Sequence, residues 1–326
     1  MIISKTPFRI SLFGGGTDYP IWYNNNSGRV ISSTIDKYAI ISLRTLPPFF
    51  QHKYRIIYSI IECVNKFNEI KHPAVREILK SFNLKEGLEI HYDGDLPARS
   101  GLGSSSSFTV GLLNILNHLN DIKVSKKKLA EQAIDFEQNI MKENVGSQDQ
   151  IAAAYGGLNE IVFKKNRFTV NSLNLDKENL NKLQKSICLC FSGKSRFASN
   201  IAKKKTSNIK SKTKIFEELE SYANEGIKII KAKSIDLKLL GNLLNESWNS
   251  KKKLSKIVTN DEIDYIYNKG IQAGAYGGKI LGAGGGGFII FIADSDRMDY
   301  IKKKLKPFTT LNINFSFEGS KIYKIF

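Results

Sequence analysis

The sequence has few of the residues that hold a disulfide-bonded protein together. It contains three cysteines, Cys63, Cys188 and Cys190. An odd number cannot pair completely, and these three lack the spacing of metal ligands. Cys188 and Cys190 would share one face of a strand, where buried thiols are common. We therefore expect three reduced cysteines that serve in packing.

Long apolar runs are also missing. No stretch approaches the ~20 residues that a membrane-spanning helix needs. The segment from Met1 to Phe13 lacks the apolar core and cleavage site of a secretory signal. With 326 residues, 41% of them hydrophobic, the chain can form one large or two medium domains. We predict a globular, cytoplasmic protein without a membrane partner.

Acidic residues are in short supply, because 49 Lys and Arg face 31 Asp and Glu, which gives a net charge of +18. A basic module that binds nucleic acid or another anionic surface is therefore the non-enzymatic alternative. The excess, however, is mostly lysine spread along the sequence, without the basic and aromatic interleaving of single-strand binders. We predict no nucleic-acid partner. A positive field would still attract anionic substrates.

The most informative stretch is Pro-Ala-Arg-Ser-Gly-Leu-Gly-Ser-Ser-Ser-Ser at residues 97–107. It joins an alternating strand pattern at 88–92 to a helical apolar pattern that begins at Phe108. Gly101 and Gly103 permit close backbone approach, and the unpaired N–H groups of a helix start attract phosphate. Serine hydroxyls can bind phosphate or Mg²⁺. The alternative is a serine-capped helix after a glycine turn.

Two carboxylates lie in positions that indicate chemistry. Glu137 interrupts an apolar stripe on a helix for which Ser125 is the predicted N-cap. Burial of an unpaired carboxylate is costly, so Glu137 needs a metal or basic partner, or a solvated edge. Asp149 lies in the first turn of a short predicted helix in which Ser147 and Gln150 have capping-box spacing. The helix dipole alone would favour an acidic residue at this position. The alternative is a catalytic role, in which the carboxylate acts on a substrate hydroxyl.

The remaining patterns mix strands and helices. Strand patterns dominate the first hundred residues, including separate strands at 30–34 and 39–46, and residues 196–274 read as mostly helical. Closing strands are expected at 312–317 and 322–326. The glycine run at 282–287 leads into a buried-type strand rather than a helix, which disfavours a dinucleotide-binding fold.

Three motifs, in this order, resemble the signature regions of the galactokinase, homoserine kinase, mevalonate kinase and phosphomevalonate kinase (GHMP) family. They are Pro97-x-x-x-Gly101-Leu102-Gly103-Ser104-Ser105, Gly146-x-x-Asp149-Gln150 and Gly282-Ala283-Gly284-Gly285-Gly286-Gly287. The resemblance covers nearly the whole chain. It implies an α+β fold of two domains, residues 1–185 and 186–326, with ATP and substrate in the cleft between them.

The amino-terminal segment narrows the substrate. Residues 9–19, Arg-Ile-Ser-Leu-Phe-Gly-Gly-Gly-Thr-Asp-Tyr, resemble the sugar-kinase signature of the family. Galactokinases carry an acidic residue and a histidine where this chain has Gly15 and Gly16, which argues against galactose. The segment, together with residues 192–196, most resembles members that phosphorylate the C1 hydroxyl of D-glycero-D-manno-heptose 7-phosphate on the way to nucleotide-activated heptose for surface polysaccharide. The alternative is an L-fucokinase-like or other sugar 1-kinase.

The resemblance also implies a role for each matching residue. The ATP phosphates would be held by Pro97, Gly101, Leu102, Gly103, Ser104, Ser105 and Ser106. Mg²⁺ would be held by Ser104 and Glu137. Asp149 would orient or deprotonate the C1 hydroxyl, and Arg9 would stabilise charge on the transferred phosphoryl group.

Substrate and support roles complete the set. The sugar would contact Gly15, Gly16, Thr17 and Asp18. Our hypothesis for the distal phosphate is a basic fork of Lys194, Ser195 and Arg196, with ordinary surface charge as the alternative. The supporting loop would be Gly282, Gly284, Gly285 and Gly286. The expected partner is a small phosphosugar, and a homodimer is an open alternative to a monomer.

Overall fold

The computed structural model describes residues 1–82, 84, 86–193 and 210–325. Within these ranges the strands are β1 Ile2–Phe13, β2 Gly28–Leu46, β3 Tyr54–Ile57, β4 Ile61–Val64, β5 Gly87–Gly94, β6 Leu158–Lys164, β7 Arg167–Ser172, β8 Ile187–Phe191, β9 Gly277–Ile280, β10 Phe288–Ile292, β11 Thr310–Leu311 and β12 Lys321–Lys324.

The α-helices are α1 Pro20–Tyr23, α2 Pro73–Ser81, α3 Ser104–Leu119, α4 Lys126–Asp135, α5 Gln148–Tyr155, α6 Lys177–Lys185, α7 Thr213–Ile230, α8 Leu237–Lys253, α9 Asp261–Gln272 and α10 Ser295–Leu305. Two single 3₁₀ turns lie at Phe67–Glu69 and Lys210–Lys212, and a π-helical turn follows α4 at Phe136–Ile140.

The larger sheet has eight strands, in the order β12-β1-β2-β5-β3-β4, with β6 also paired to β2 and β7 to β6. Strand β2 is continuous over nineteen residues, where the sequence patterns predicted two strands. It can run on because its first half pairs with β6 and its second half with β5. Apolar side chains of this sheet pack against α2, α3, α4 and α5 in one core cluster.

The smaller sheet has four strands in the order β11-β8-β10-β9, and every pair is antiparallel. Its strand β10 is entirely buried. A second core cluster contains Phe8 and Ile10 of β1 together with Leu189 of β8 and Ile290 of β10. The two sheets therefore share apolar packing, and the predicted α+β fold class is confirmed.

The predicted strand at 312–317 is wrong. The strand in this region is only Thr310–Leu311, and Phe315 forms a single bridge with Ile35. Side chains interrupt the ladder here, because the Phe315 N–H donates to Gln184 and the Asn314 N–H donates to Asp36. Main-chain hydrogen bonds remain between Asn314 and Asp36 and between Ser316 and Thr34. Strand β12 confirms the other closing strand and pairs with β1 in the larger sheet.

All three cysteines are free. Cys188 and Cys190 are buried as expected, but Cys63 lies exposed on β4, so the packing prediction is wrong for Cys63. No helix in the described ranges is long and apolar enough to cross a membrane. The domain boundary between residues 185 and 186 and the cytoplasmic location stay predictions.

The contact between α8 and β9 depends on two glycines. A Cβ at Gly277 would lie 1.8 Å from the carbonyl oxygen of Gly241. We expect Gly277→Ala to lower the free energy of unfolding by about 2 kcal/mol, because the helix must move off the strand. Urea unfolding measures this loss. Asn242→Ala, on the exposed side of α8, is the control, and equal stability of the two variants would contradict the close approach.

Candidate active site

The centre of the site is an ion pair between Arg9 and Asp149. Arg9 projects from β1, and Asp149 lies in the first turn of α5. The guanidinium forks onto the carboxylate, with Nε 2.8 Å from Oδ1 and Nη2 2.7 Å from Oδ2. The Arg9 side chain is 4% exposed and the Asp149 side chain 25%. The structure therefore brings together the two predicted catalytic residues and leaves the carboxylate partly accessible.

The serine loop starts α3 directly beside this pair. Gly103 is the N-cap, in the left-handed conformation with φ 74°, and no side chain of the described residues caps this helix start. A Cβ at Gly103 would lie 3.2 Å from Cγ of Arg9 and 3.5 Å from Oδ2 of Asp149. The N–H groups of the first turn are thus available to an anion next to the carboxylate. The alternative of a serine-capped helix is wrong.

The glycine-rich loop at 282–287 supports the serine loop through backbone contact. A Cβ at Gly282 would lie 2.6 Å from Cα of Gly101, and a Cβ at Gly101 would lie 2.6 Å from the carbonyl oxygen of Leu281. The Phe288 N–H donates to the carbonyl of Ser100 over 3.0 Å. Two loops that are distant in sequence thus pack without side chains between them. The supporting role that the family resemblance implied for this loop stays a prediction.

Glu137 lies in the π-helical turn and is 2% exposed. Its Oε2 accepts hydrogen bonds from Ser106, at 2.9 Å, and from the amide of Gln150. Its Oε1 accepts none from the described part of the chain. Burial raises the pKa of Glu137 to about 7, although the hydroxyls of Thr109 and Ser106 and the Gln150 amide oppose that rise. Among the described residues no Lys or Arg pairs with Glu137, which leaves the ion-pair alternative without support.

Two local predictions change around Glu137. Within the serine loop, the hydroxyl that reaches Glu137 belongs to Ser106, whereas the Ser104 hydroxyl accepts a hydrogen bond from the Arg99 N–H at 3.2 Å. The capping box of Ser147 and Gln150 is wrong, because Ser147 makes no cap hydrogen bond and Gln150 binds Glu137 instead. Tertiary contacts outcompete the local cap.

The residues around Glu137 fit a hard divalent cation. The buried, unpartnered Oε1 and the Ser106 hydroxyl are oxygen ligands, which Mg²⁺ prefers. A bound cation would also favour the ionised carboxylate that burial now disfavours. When bound, Mg²⁺ would neutralise phosphate charge. The described residues contain no group of three or more acidic, histidine or cysteine side chains that could hold a metal ion. Phosphate and water oxygens would therefore have to complete the coordination of Mg²⁺.

The predicted sugar contacts Gly15, Gly16, Thr17 and Asp18 lie in the loop that follows β1, residues 14–18, which we call the sugar loop. Thr17 is fully buried, and its hydroxyl donates towards the carbonyls of Gly14 and Arg29, which fixes the loop to β2. Beside Gly16, the nearest side chains are Phe216 and Leu219 of α7. A helix from the carboxy-terminal part of the chain therefore borders this loop.

Asp18 is buried and already engaged. Its Oδ1 accepts from the Gly16 N–H at 2.8 Å, and its Oδ2 accepts from Nε2 of Gln148 at 3.0 Å. Burial raises the pKa of Asp18, and the Gly16 hydrogen bond opposes the rise. A Cβ at Gly146 would lie 1.9 Å from Oδ2, so that position leaves no room for a side chain.

Two buried lysines near the site were not singled out from the sequence. Lys251 donates to the carbonyls of Ile280 and Gly282, and Lys279 donates to the carbonyl of Leu12. Both lysines are buried, and each hydrogen-bonds main-chain carbonyls next to a loop of the candidate site. Lys251 is hidden in a run of three lysines, whereas Lys279 interrupts an apolar strand, a signal that could have marked it. The predicted fork of Lys194, Ser195 and Arg196 lies outside the described residues.

Comparison with known proteins places this site in a class. The family model for the GHMP kinases N-terminal domain matches residues 65–157, and the model for the GHMP kinases C-terminal domain matches residues 228–308. Together they contain the serine loop, Asp149 and the supporting loop. These matches and the fold define a kinase. The chain belongs to the GHMP kinase family, as the motifs predicted.

Individual proteins that are similar to this chain support the same family assignment. The D-glycero-alpha-D-manno-heptose 7-phosphate kinase of Campylobacter jejuni is 31% identical over 337 aligned positions, which cover 99% of both chains. The galactokinase of Pyrococcus furiosus is 25% identical, over 91% of this chain and 90% of its own. A crystal structure described as a D-glycero-D-manno-heptose 1-phosphate kinase from Bacteroides thetaiotaomicron matches all of both chains with a TM-score of 0.82 at 21% identity, which shows the shared fold. The prediction of a sugar kinase is supported at this level.

Glu137 should make the folded protein less stable as the pH rises. Its pKa is about 7 when folded against an ordinary 4.5, so the folded chain binds this proton more tightly. The resulting stability is complete below about pH 4.5 and is lost as the pH rises through about 7. Relative to Glu137→Gln, the wild type should therefore lose free energy of unfolding across this window, measured by urea unfolding without divalent cations. Glu131→Gln, half-exposed on α4, is the control and should run parallel to the wild type.

Proposed function

We propose that the protein uses ATP and Mg²⁺ to phosphorylate the C1 hydroxyl of D-glycero-D-manno-heptose 7-phosphate, giving the 1,7-bisphosphate. The observation that carries the proposal is the contact between an uncapped helix start at Gly103 and a carboxylate held by Arg9. One half of this arrangement suits a phosphate chain, and the other suits a hydroxyl. The 31% identity to the Campylobacter jejuni kinase over the whole chain supports the particular sugar.

The first-turn N–H groups of α3 would bind the ATP phosphates, and Asp149 would receive the hydroxyl. The hydroxyl oxygen attacks the γ-phosphorus, and the bond from that phosphorus to the bridging oxygen breaks, which releases ADP. The proton passes to Asp149, or to solvent if Asp149 only orients the hydroxyl. Arg9 keeps the carboxylate in place through two parallel hydrogen bonds and contributes positive charge next to the transferred group.

Glu137 would hold Mg²⁺ together with a serine hydroxyl. The family resemblance favours Ser104, and the contact with Glu137 favours Ser106. The carboxylate would bind the ion through its unpartnered Oε1. Positioning and charge neutralisation are the main contributions that phosphoryl transfer requires from a protein.

The sugar would rest on the loop of residues 14–18. Gly15 and Gly16 have no side chains there, which leaves room for a substrate longer than galactose. On sequence grounds we assign the distal phosphate to Lys194, Ser195 and Arg196. An L-fucokinase-like activity is the alternative, since a fucokinase also accepts the C1 hydroxyl of a sugar that differs from galactose. A cytoplasmic phosphosugar kinase without nucleic-acid partners completes the proposal.

Asp149 is the residue to test first. Asp149→Asn keeps the shape but removes the charge that Arg9 holds, so kcat should fall by about 10³-fold while the melting temperature stays near that of the wild type. Coupled ADP release with heptose 7-phosphate, L-fucose, galactose and mannose measures the activity and the preference. Asp299→Asn, on a 94% exposed side chain, is the control. Equal rates for Asp149→Asn and the wild type would refute the role of Asp149. A phosphorus NMR spectrum of the wild-type product without a C1 phosphate would refute the proposed reaction.

Glu137 should control the Mg²⁺ requirement. We expect Glu137→Gln to raise the Mg²⁺ concentration for half-maximal rate about tenfold while the KM for the sugar changes less than twofold, because one anionic ligand is lost. Calorimetric titration of Mg²⁺ in the presence of a non-hydrolysable ATP analogue gives a second readout that needs no turnover. Ser106→Ala and Ser104→Ala tell which hydroxyl contributes, and Glu131→Gln should behave as the wild type. An unchanged Mg²⁺ affinity in Glu137→Gln would show that this carboxylate serves packing alone.

A further inference from the structure

Two buried polar atoms beside the sugar loop lack hydrogen-bond partners among the described residues. They are the hydroxyl oxygen of Ser11 and the side-chain oxygen, Oε1, of Gln148. Ser11 is 4% exposed and Gln148 7%. A buried polar group without a partner costs free energy, and native proteins rarely keep one without a reason. Both residues belong to the elements that carry the catalytic pair, since Ser11 is on β1 with Arg9 and Gln148 precedes Asp149.

Gly15 lies between these two residues. The Cβ that it lacks would be 3.3 Å from the Ser11 hydroxyl and 3.7 Å from the amide nitrogen, Nε2, of Gln148. Gly15 is half-buried and its φ lies outside the left-handed region, so the backbone does not require a glycine there. Its missing side chain instead leaves a small notch beside polar groups. The hydroxyl and the amide N–H that border it can both hydrogen-bond a hydroxyl group.

Asp18 fixes which end of the Gln148 amide lies beside Gly15. The amide presents Nε2 to the Asp18 carboxylate, and the same nitrogen is the amide atom nearest the notch. An amide nitrogen carries two N–H groups, so the second one can donate to a ligand. The Asp18 oxygens also accept from the N–H groups of Gly16 and Gln148. Asp18 thus has three donors within the protein and is 1% exposed, whereas Oε1 of Gln148 has none.

We propose that Gln148 hydrogen-bonds a ring hydroxyl of the sugar, with Ser11 as its second partner, and that Asp18 is a positioning residue that acts through Gln148. This inference rests on the proposed function, because it names the group that recognises the substrate of that site. It gives the sugar hydroxyl a donor, Nε2 of Gln148, one residue from Asp149. A site that pairs with a hydroxyl in this way rejects sugars that lack the hydroxyl or present it elsewhere.

The test is a double-mutant cycle of Gln148→Met and Asp18→Asn. Gln148→Met removes the amide at similar volume, so kcat/KM for the sugar should fall by about 10- to 100-fold while the KM for MgATP changes less than twofold. In Asp18→Asn the Gly16 N–H holds the new amide oxygen, so the new NH₂ faces Gln148. The Gln148 amide then turns to present Oε1 to this NH₂ and moves Nε2 away from the notch. We expect a loss of several-fold, and in the Gln148→Met background no further loss.

A matched control and a second variant complete the test. Gln132→Met changes a glutamine of α4 that binds Asn117, and it should leave the kinetics unchanged. Gly15→Ala fills the notch without backbone strain and should raise the KM for the sugar at least tenfold. This variant decides the matter if either polar substitution prevents folding.

The outcomes separate the two levels of inference. Losses that multiply in the double variant would mean that Asp18 contacts the sugar itself. An unchanged kcat/KM in Gln148→Met, or an unchanged KM in Gly15→Ala, would also overturn the assignment. In both cases the wild type phosphorylates sugars and the proposed function stands. A wild type that phosphorylates no sugar would refute the proposed function, and this assignment with it.

Discussion

The buried guanidinium of Arg9 is the constraint on which the rest of the site depends. Its side chain holds Asp149 and also donates to the carbonyl of Gly101, while its backbone N–H donates to the carbonyl of Leu102. A cation this buried is tolerable only with its partners in place. One residue of the first strand therefore fixes both the start of the phosphate helix and the carboxylate in front of it. The larger sheet and the two helices are the frame that holds these three groups at fixed distances.

The site uses main-chain groups where many sites use side chains. An uncapped helix start is open to an anion, and a glycine loop packs against it. Lysine ammonium groups hold the carbonyls of Gly282 and Leu12. Glu137 and Gln148 are among the described residues that keep a buried polar atom without a partner, and both lie beside the proposed ligands. At these two positions a bound ligand could satisfy an atom that the protein leaves unpaired.

Sequence reasoning located the parts of the site but not their internal contacts. The serine loop, Asp149 and the supporting glycines follow from local patterns and ordered motifs, and the family is confirmed. The π-helical turn, the choice of Ser106 over Ser104 at Glu137, and the use of Gln150 as a donor were not predictable. Each depends on which helix face meets another element, and residues one or two positions apart on a helix start face different neighbours. The capping-box prediction failed for the same reason.

The contact between Gly101 and Gly282 also restricts which substitutions these two positions can accept during evolution. A Cβ at Gly282 would overlap Cα of Gly101, and a Cβ at Gly101 would overlap the carbonyl of Leu281, the residue before Gly282. Neither position can accept a side chain while the backbones stay in contact, and no smaller residue exists at the partner position to compensate. The serine loop and the glycine-rich loop that contacts it must therefore be conserved together, although they lie in distant parts of the chain.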